Sequence, residues 1–140
     1  MPMEQQFFNE YRLMYRPFIN QINVELEKHG LFSSQWGLLR MLMDQGPQSY
    51  GEIATLLYIE KPSVTKLVQK LIELELVNIQ PGKDKREKIV HLTTHGEYII
   101  EDIQRNLKPI LERALAGVSG EHTEIAKQVL AQIRVNLTNG

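Results

Sequence analysis

The chain has 140 residues, of which 42% are hydrophobic and 24% are charged, as in an ordinary globular protein. This length predicts one domain with a few appended helices, and the composition excludes a disordered or collagen-like chain. There is no cysteine, which excludes thiol catalysis and a disulfide scaffold. Apolar runs are too short for a membrane span and the N-terminus lacks the pattern of a signal peptide, so we expect a cytoplasmic protein with no membrane partner.

The net charge of −1 is unevenly distributed along the chain. Residues 61–88 hold seven Lys or Arg and four acidic side chains, whereas the rest of the chain holds nine and thirteen. A locally basic segment in an acidic chain is typical of a phosphate-binding surface, although the same excess also occurs on an ordinary solvated face.

Apolar residues at steps of three and four predict one long helix from Met3 to about His29. Pro17 lies inside it and predicts a kink or a missing hydrogen bond. A second helix is expected to begin at a cap on Ser33 or Ser34 and to end near Gly46.

Ser49 and Glu52 form the Ser-x-x-Glu pattern of a capping box before a short apolar helix. Pro62 then lies where proline is tolerated, in the first turn of another helix. We expect that helix to end near Glu75.

Two alternating segments, 76–80 and 88–92, flank a polar, turn-rich loop and predict a β-hairpin with a projecting tip. A second capping-box pattern, Thr94-His95-Gly96-Glu97, predicts a helix over residues 94–115. A last helix is expected over residues 121–137. The predicted fold class is therefore mostly α-helical with a small β-hairpin.

The order helix, turn, helix, hairpin over residues 49–92 is that of a winged helix-turn-helix. The second helix of such a pair fits the major groove of double-stranded DNA, and a basic hairpin tip suits the backbone and the minor groove. The candidate DNA-binding residues are Ser63, Thr65, Lys66, Gln69 and Lys70 on the helix, and Lys83, Lys85, Arg86 and Lys88 on the hairpin. The alternatives are a solvated helix face with a basic loop, or a protein-binding adaptor.

Residues 84–96, Asp-Lys-Arg-Glu-Lys-Ile-Val-His-Leu-Thr-Thr-His-Gly, resemble the wing signature of the MarR family of bacterial transcription regulators. The family pattern is Asp-x-Arg, three residues, then Val-x-Leu-Thr-x-x-Gly, and all of its fixed positions are matched. Residues 63–71 resemble the family's recognition helix, and the similarity extends to Ser33-Ser34-Gln35-Trp36 and to the long terminal helices.

The resemblance implies a homodimer formed by the first, fifth and sixth helices, which binds a palindromic operator, usually as a repressor. It implies a dimerisation helix over 1–32, a DNA-binding lobe over 33–93 and dimerisation helices over 94–140. It places Arg86 in the minor groove and makes Asp84 a tenth DNA-binding residue, which holds Arg86 by a salt bridge. The alternative for Asp84 is a role in the turn.

The sequence departs from the family pattern at two positions. Glu75 replaces a glycine that commonly follows the recognition helix, which suggests a different helix end. Ile79 replaces an arginine common in the next strand, which removes one possible phosphate contact.

Members of the family often bind a small-molecule effector between the DNA-binding lobe and the dimerisation helices. Candidate ligand residues are Tyr11, Tyr15, Trp36 and Met41, with Met14 and Met43 nearby in sequence, although packing in the core or at an interface explains each of them better. The four histidines are scattered, so we expect no metal and no cofactor. No P-loop, dinucleotide fingerprint or nucleophile elbow is present, and we expect no enzyme activity.

Overall fold

The computed structural model describes residues 1–139, which form six helices and three short strands. Their order is α1 (Met3–Glu27), α2 (Ser33–Gln45), β1 (Gln48–Ser49), α3 (Tyr50–Leu57), α4 (Lys61–Glu73), β2 (Val77–Pro81), β3 (Lys88–Leu92), α5 (Thr94–Ala114) and α6 (Gly120–Thr138). The chain divides into two compact units, one from Met1 to Leu107 and the other from Lys108 onward.

The first unit is built around an apolar core to which α1 to α5 and the sheet all contribute. The spacing of apolar residues in the sequence produces this core, because each helix buries one face. The fully buried side chains are Leu26, Leu31, Leu38, Leu39, Ile53, Val64, Val68, Leu71, Val90, Ile100 and Ile103. Helix α1 continues through Pro17, and only its C-terminal part contributes to the core.

The strands form an antiparallel sheet in the order β1-β3-β2. The predicted hairpin is present, with Ile79 opposite Val90 at its centre. Strand β1 pairs with the other edge of β3, where Gln48 lies opposite Val90. The sequence did not reveal β1, because two residues are too few to show the alternation of a strand.

The capping box predicted at the start of α3 is confirmed. The Glu52 N–H donates to Ser49 Oγ at 3.1 Å, and the Ser49 N–H donates to Glu52 Oε1 at 3.0 Å. Hydrogen bonds to the Glu52 carboxylate from the backbone and the side chain of Ser49 lower the pKa of Glu52, against a smaller opposing effect of burial.

The predicted cap of α2 on Ser33 or Ser34 is wrong, because the helix begins one residue earlier than such a cap allows. The residue before the helix is Phe32, whose N–H donates to Gln35 Oε1 at 2.8 Å. The Ser33 N–H donates to Asn23 Oδ1 of α1 at 3.1 Å. A side chain from another helix therefore satisfies this helix start, and local sequence does not show such a partner.

The capping box predicted on Thr94 is also wrong, by one residue. Thr93 caps α5, since the Gly96 N–H donates to Thr93 Oγ1 at 2.9 Å. Thr93 is selected over its neighbour because its hydroxyl also donates to the Glu75 carbonyl oxygen at 2.8 Å.

The different helix end expected at Glu75 is not observed. Glu75 adopts φ of +62°, the left-handed conformation that a glycine takes after a helix. The Leu76 N–H reaches back to the Leu71 carbonyl oxygen at 2.9 Å, as in a glycine-terminated helix. Glu75 thus keeps the backbone geometry of a glycine-terminated helix, although this conformation is strained for a glutamate.

The second unit contains the end of α5 and helix α6. Ser119 caps α6, because the His122 N–H donates to Ser119 Oγ at 3.1 Å. Apolar side chains along α6 are exposed in the single chain, namely Ile125, Val129, Leu130, Val135 and Leu137. Among residues 1–139, no helix combines the length and apolar character needed to cross a membrane.

Candidate nucleic-acid interface

Helix α4 has one buried and one exposed face. Val64, Val68 and Leu71 are buried in the core. Four of the five helix residues predicted to bind DNA, Ser63, Thr65, Lys66 and Gln69, are exposed, and Lys70 is half-buried. The packing of α4 therefore presents a polar surface without committing its charged groups to the core.

The exposed residues of α4 differ in the hydrogen-bonding groups that remain available to bind DNA. Thr65 Oγ1 donates to the Lys61 carbonyl oxygen at 3.2 Å, so its hydroxyl hydrogen is used inside the helix. Gln69 carries an amide that can pair with the edge of adenine, and Lys66 carries a mobile ammonium group. Gln69 is consequently the better candidate for base recognition and Lys66 for phosphate.

The wing, which we define as residues 77–92, carries its basic residues on and beside a tight loop. The Gly82 N–H donates to the Glu87 carbonyl oxygen, and the Glu87 N–H donates to the Asp84 carbonyl oxygen, both at 2.9 Å. Lys83, Lys85, Arg86 and Lys88 are all exposed. Three positive side chains thus project from a loop that is held by its own backbone, and Lys88 adds a fourth at the start of β3.

Asp84 has the turn role that was the alternative to a salt bridge. Its Oδ1 accepts the backbone N–H of Arg86 at 3.1 Å, as in an Asx turn. Among the ion pairs of residues 1–139, none joins Asp84 to the Arg86 guanidinium. Asp84 therefore shapes the tip of the wing, and the Arg86 side chain is left accessible to a phosphate or a groove.

Strand β2 adds two polar side chains that sequence analysis missed. Asn78 and Gln80 are exposed on the wing, and Gln80 Nε2 donates to Asn78 Oδ1 at 3.3 Å. Ile79 between them is half-buried and lies opposite Val90, so it has a packing role where the family often has arginine. The alternation of β2 was the available signal for the exposure of its two amides.

Contacts of Thr93 and Gly96 with Glu75 and Leu76, which we call the clamp, join the end of α4 to the start of α5. Besides the Thr93 hydroxyl bond to Glu75, the Thr93 N–H donates to the Leu76 carbonyl oxygen at 3.0 Å. A Cβ added to the buried Gly96 would collide with that same carbonyl oxygen, so a glycine is required there. The Leu-Thr-x-x-Gly part of the signature therefore fixes α4 and the wing relative to α5.

The four candidate ligand residues divide into two pairs. Trp36 and Met41 are 7% and 8% exposed and belong to the core, whereas Tyr11 and Tyr15 are exposed on α1 with ring centroids 6.0 Å apart.

A groove of about 490 Å³ lies elsewhere in the first unit, and none of these four candidate ligand residues lines it. Its lining residues are Gln45, Gln48, Gly51, Glu52, Thr55 and Leu56.

Over residues 1–139, no group of three His, Asp or Glu side chains is placed to hold a metal ion.

Two helices joined by a turn, an exposed polar face on the second and a basic hairpin define a winged helix-turn-helix protein. The MarR family model matches residues 29–87. The chain belongs to the MarR family of transcriptional regulators, which are DNA-binding proteins and not enzymes.

Relatives and a solved structure agree with this family over most of the chain. The HTH-type transcriptional regulator YwoH of Bacillus subtilis is 38% identical over 78% of this chain and 80% of its own. A regulator of the same type from Staphylococcus aureus is 30% identical over 94% of this chain and 92% of its own. The Staphylococcus aureus MarR structure, in complex with salicylate and kanamycin, is 29% identical with a TM-score of 0.88, and 98% of this chain and 93% of that chain are covered.

Proposed function

We propose that the protein is a homodimeric repressor that binds a palindromic operator in double-stranded DNA and is released from it by a small molecule. The observation that carries this proposal is the exposed polar face of α4 beside a wing with four exposed basic side chains. Both are fixed by the clamp at Thr93, so the unbound protein already presents them together.

The proposed contacts divide by chemistry. Gln69 contacts a base edge in the major groove, Lys66 contacts phosphate, and Arg86 enters the minor groove. The complete proposed set is Ser63, Thr65, Lys66, Gln69, Lys70, Lys83, Asp84, Lys85, Arg86 and Lys88. Asp84 serves this set through the turn that it forms at the tip of the wing.

Self-association is supported by an apolar face on α1 that the chain leaves exposed. Its members are Phe7, Phe8, Tyr11, Met14, Tyr15 and Phe18. A contiguous aromatic surface of this kind is typical of an interface, and two-fold pairing is the commonest symmetry. A two-fold dimer of helix-turn-helix lobes matches a palindrome. In this proposal residues 1–32 and 94–140 form the dimer and residues 33–93 bind DNA in the cytoplasm.

The proposed effector is a small organic molecule. The Staphylococcus aureus MarR structure was obtained in complex with salicylate and kanamycin, and its similarity to this chain makes these two compounds the first probes. Tyr11, Tyr15, Trp36 and Met41 remain candidate ligand residues. The burial of Trp36 and Met41 favours their packing role, so variants at the two tyrosines are the more direct test of ligand contact.

The test is fluorescence anisotropy on double-stranded DNA from upstream of the protein's own gene, over a salt series. We expect salt-steep binding, and we expect Arg86→Ala to weaken it by about 1–3 kcal/mol. Lys127→Ala is the control, because it removes the same charge from an exposed lysine paired with Glu124 on α6. Equal affinity of Arg86→Ala and the wild type would exclude the wing from DNA binding.

If the wild type does not bind its upstream DNA, either the operator lies elsewhere or the protein is an adaptor. Selection from random double-stranded DNA decides between these two possibilities. Recovery of a palindromic sequence supports the proposal. Failure to enrich any sequence, with the protein folded and dimeric, contradicts it.

A further inference from the structure

A buried carboxylate lies between α1 and α5, away from the residues proposed to bind DNA. The Glu25 side chain is 5% exposed. Its Oε1 accepts from Asn106 Nδ2 of α5 at 2.8 Å, and its Oε2 accepts from Lys28 Nζ at 2.9 Å. Burying a charge is costly, and an apolar residue at such a position is often more stable. The carboxylate is therefore poorly explained by stability alone.

A second polar contact to α5 comes from the turn that directly follows α1. His29 Nε2 lies 3.5 Å from Asp102 Oδ2 and 3.9 Å from Glu25 Oε1. Asp102 also holds the exposed Arg105 at 3.1 Å. The network thus contains two carboxylates, one imidazole and two cations.

The spacing of the network defines the axial register of the two helices. Glu25 lies in the last turn of α1 and His29 follows four residues later, in the turn after that helix, whereas Asp102 and Asn106 are four residues apart on α5. Glu25 meets Asn106 while His29 meets Asp102, so the helices run antiparallel at this contact. A slide of one turn, about 5.4 Å, would break both contacts together, whereas apolar side chains would repack.

The N-terminal end of α5 is held to the end of α4 by the clamp described above. Thr93 and Gly96 fix the first turn of α5 to the residues that directly follow α4. A change in the register of α5 against α1 would therefore move α4. Because α1 carries the aromatic face proposed for dimerisation, this chain of contacts connects the dimer interface to the recognition helix.

We infer that the Glu25–Asn106 and His29–Asp102 contacts form a register lock that sets the separation of the two α4 helices in the DNA-bound dimer. This inference rests on the proposed function. Dimers of this class bind half-sites about 34–36 Å apart, and one base pair of change is about 3.4 Å. A slip of one helical turn, about 5.4 Å, exceeds the rise of one base pair and is therefore large enough to affect which half-site spacing is accepted. Glu25, His29, Asp102 and Asn106 are positioning residues in this scheme.

The experiment measures spacing preference. Double-stranded DNA carrying a selected palindrome is prepared with its half-sites at the selected spacing and moved apart or together by one base pair. Binding of the full-length wild type, Asn106→Ala and Gln104→Ala is measured by anisotropy at one salt concentration. Asn106 is an exposed residue whose amide reaches Glu25, so its variant should fold, and Gln104→Ala is a matched loss of an exposed amide on α5.

We expect Asn106→Ala to reduce the wild-type preference for the selected spacing by about two- to tenfold, while Gln104→Ala retains it. Glu25→Gln, which removes the charge and keeps the size, should act in the same direction. A purely structural role for the network would weaken binding to all spacings equally and leave their ratio unchanged.

The outcomes separate this inference from the proposed function. If the wild type binds the palindrome and Asn106→Ala keeps the full spacing preference, the lock is wrong and the repressor proposal is unaffected. A wild type with no spacing preference also overturns the lock. If the wild type binds none of the DNA, the proposed function fails, and the inference fails with it.

Discussion

Thr93 donates its hydroxyl hydrogen to the carbonyl oxygen of Glu75 at 2.8 Å, across eighteen positions of sequence. The same oxygen of Thr93 accepts the Gly96 N–H and so begins α5. One hydroxyl group therefore satisfies a carbonyl at the end of the recognition helix and an amide at the start of the next long helix. This double use explains the threonine of the wing signature, and the close approach of the Leu76 carbonyl oxygen explains the glycine three residues later.

Replacing Thr93 with valine should lower the free energy of unfolding by about 1–3 kcal/mol. The variant keeps the shape of the side chain but loses a helix cap and leaves a carbonyl without its donor. Thr94→Val is the matched control, and we expect it to stay within about 0.5 kcal/mol of the wild type because Thr94 is exposed. Urea denaturation at fixed protein concentration measures both. Equal losses in the two variants would contradict the assignment of the cap to Thr93.

Glu75→Gly should raise the free energy of unfolding by about 0.5–1 kcal/mol. Glutamate is strained at φ of +62°, whereas glycine adopts this conformation freely, although the flexibility of glycine in the unfolded chain offsets part of the gain. Glu73→Gly provides the opposite control, since Glu73 is the last residue of α4 and glycine at this helical position should cost up to about 1 kcal/mol. A destabilised Glu75→Gly protein would show that contacts of the glutamate side chain outweigh the strain.

Lys66→Ala and Gln69→Ala should affect DNA binding in different ways. If Lys66 contacts a phosphate, its loss should reduce the slope of log affinity against log salt by about one unit and weaken all sequences alike. If Gln69 contacts a base, its loss should leave the slope unchanged and relax the preference at one base pair by about 1–3 kcal/mol. Anisotropy with a panel of single-base operator variants over a salt series measures both effects, and each variant is the control for the other. A change of slope for Gln69→Ala with no change of preference would reverse the two roles.

Glutamate substitutions on the aromatic face of α1 should weaken dimerisation. Tyr15→Glu places an unpaired charge within the proposed interface, and at least about tenfold weaker association is expected. Asn20→Glu adds the same charge to an exposed position on the opposite side of α1, given 100° per residue, and should leave the dimer intact. Sedimentation velocity over a concentration series distinguishes the two variants. A Tyr15→Glu protein that stays fully dimeric would place the interface elsewhere.

The sequence was sufficient for the fold because its main signals are local. The apolar spacing of α4, the Ser49–Glu52 box and the alternation of the hairpin each depend on residues close in the chain, and all three are present. The errors occurred where a distant residue decides the local structure. Asn23 satisfies the start of α2, and Glu75 selects Thr93 over Thr94 as the cap of α5.

For the candidate site, the sequence also predicted which residues take part but not the hydrogen bonds that they make. The pattern of α4 indicates which side chains are exposed, but not that the Thr65 hydroxyl is used by the helix backbone. The signature identifies Asp84 and Arg86 together, but not that the carboxylate accepts a backbone N–H instead of the guanidinium. The buried position of Glu25 also had no local signal, because its partner Asn106 lies eighty-one residues away.

The stability of the protein should fall with acid more steeply than that of a Glu25→Gln variant. Burial raises the pKa of Glu25, but hydrogen bonds from Lys28 and Asn106 and the charges of Lys28 and His29 lower it further, so the net shift is downward. A carboxyl whose pKa is lower in the folded than in the unfolded state contributes stability above its unfolded pKa, and this contribution is lost as the pH falls through the folded value. The stability that Glu25 contributes is therefore lost at pH values below the ordinary glutamate pKa of 4.5.

Thermal unfolding of the wild type and Glu25→Gln between pH 7 and pH 3 measures this contribution. We expect the variant to be less stable at neutral pH and the difference to shrink as the pH falls below 4.5. Glu101→Gln, the same substitution at an exposed position of α5, controls for the change in net charge. A difference between wild type and Glu25→Gln that is constant over the whole range would show that the ionised form of Glu25 is not what holds α1 to α5.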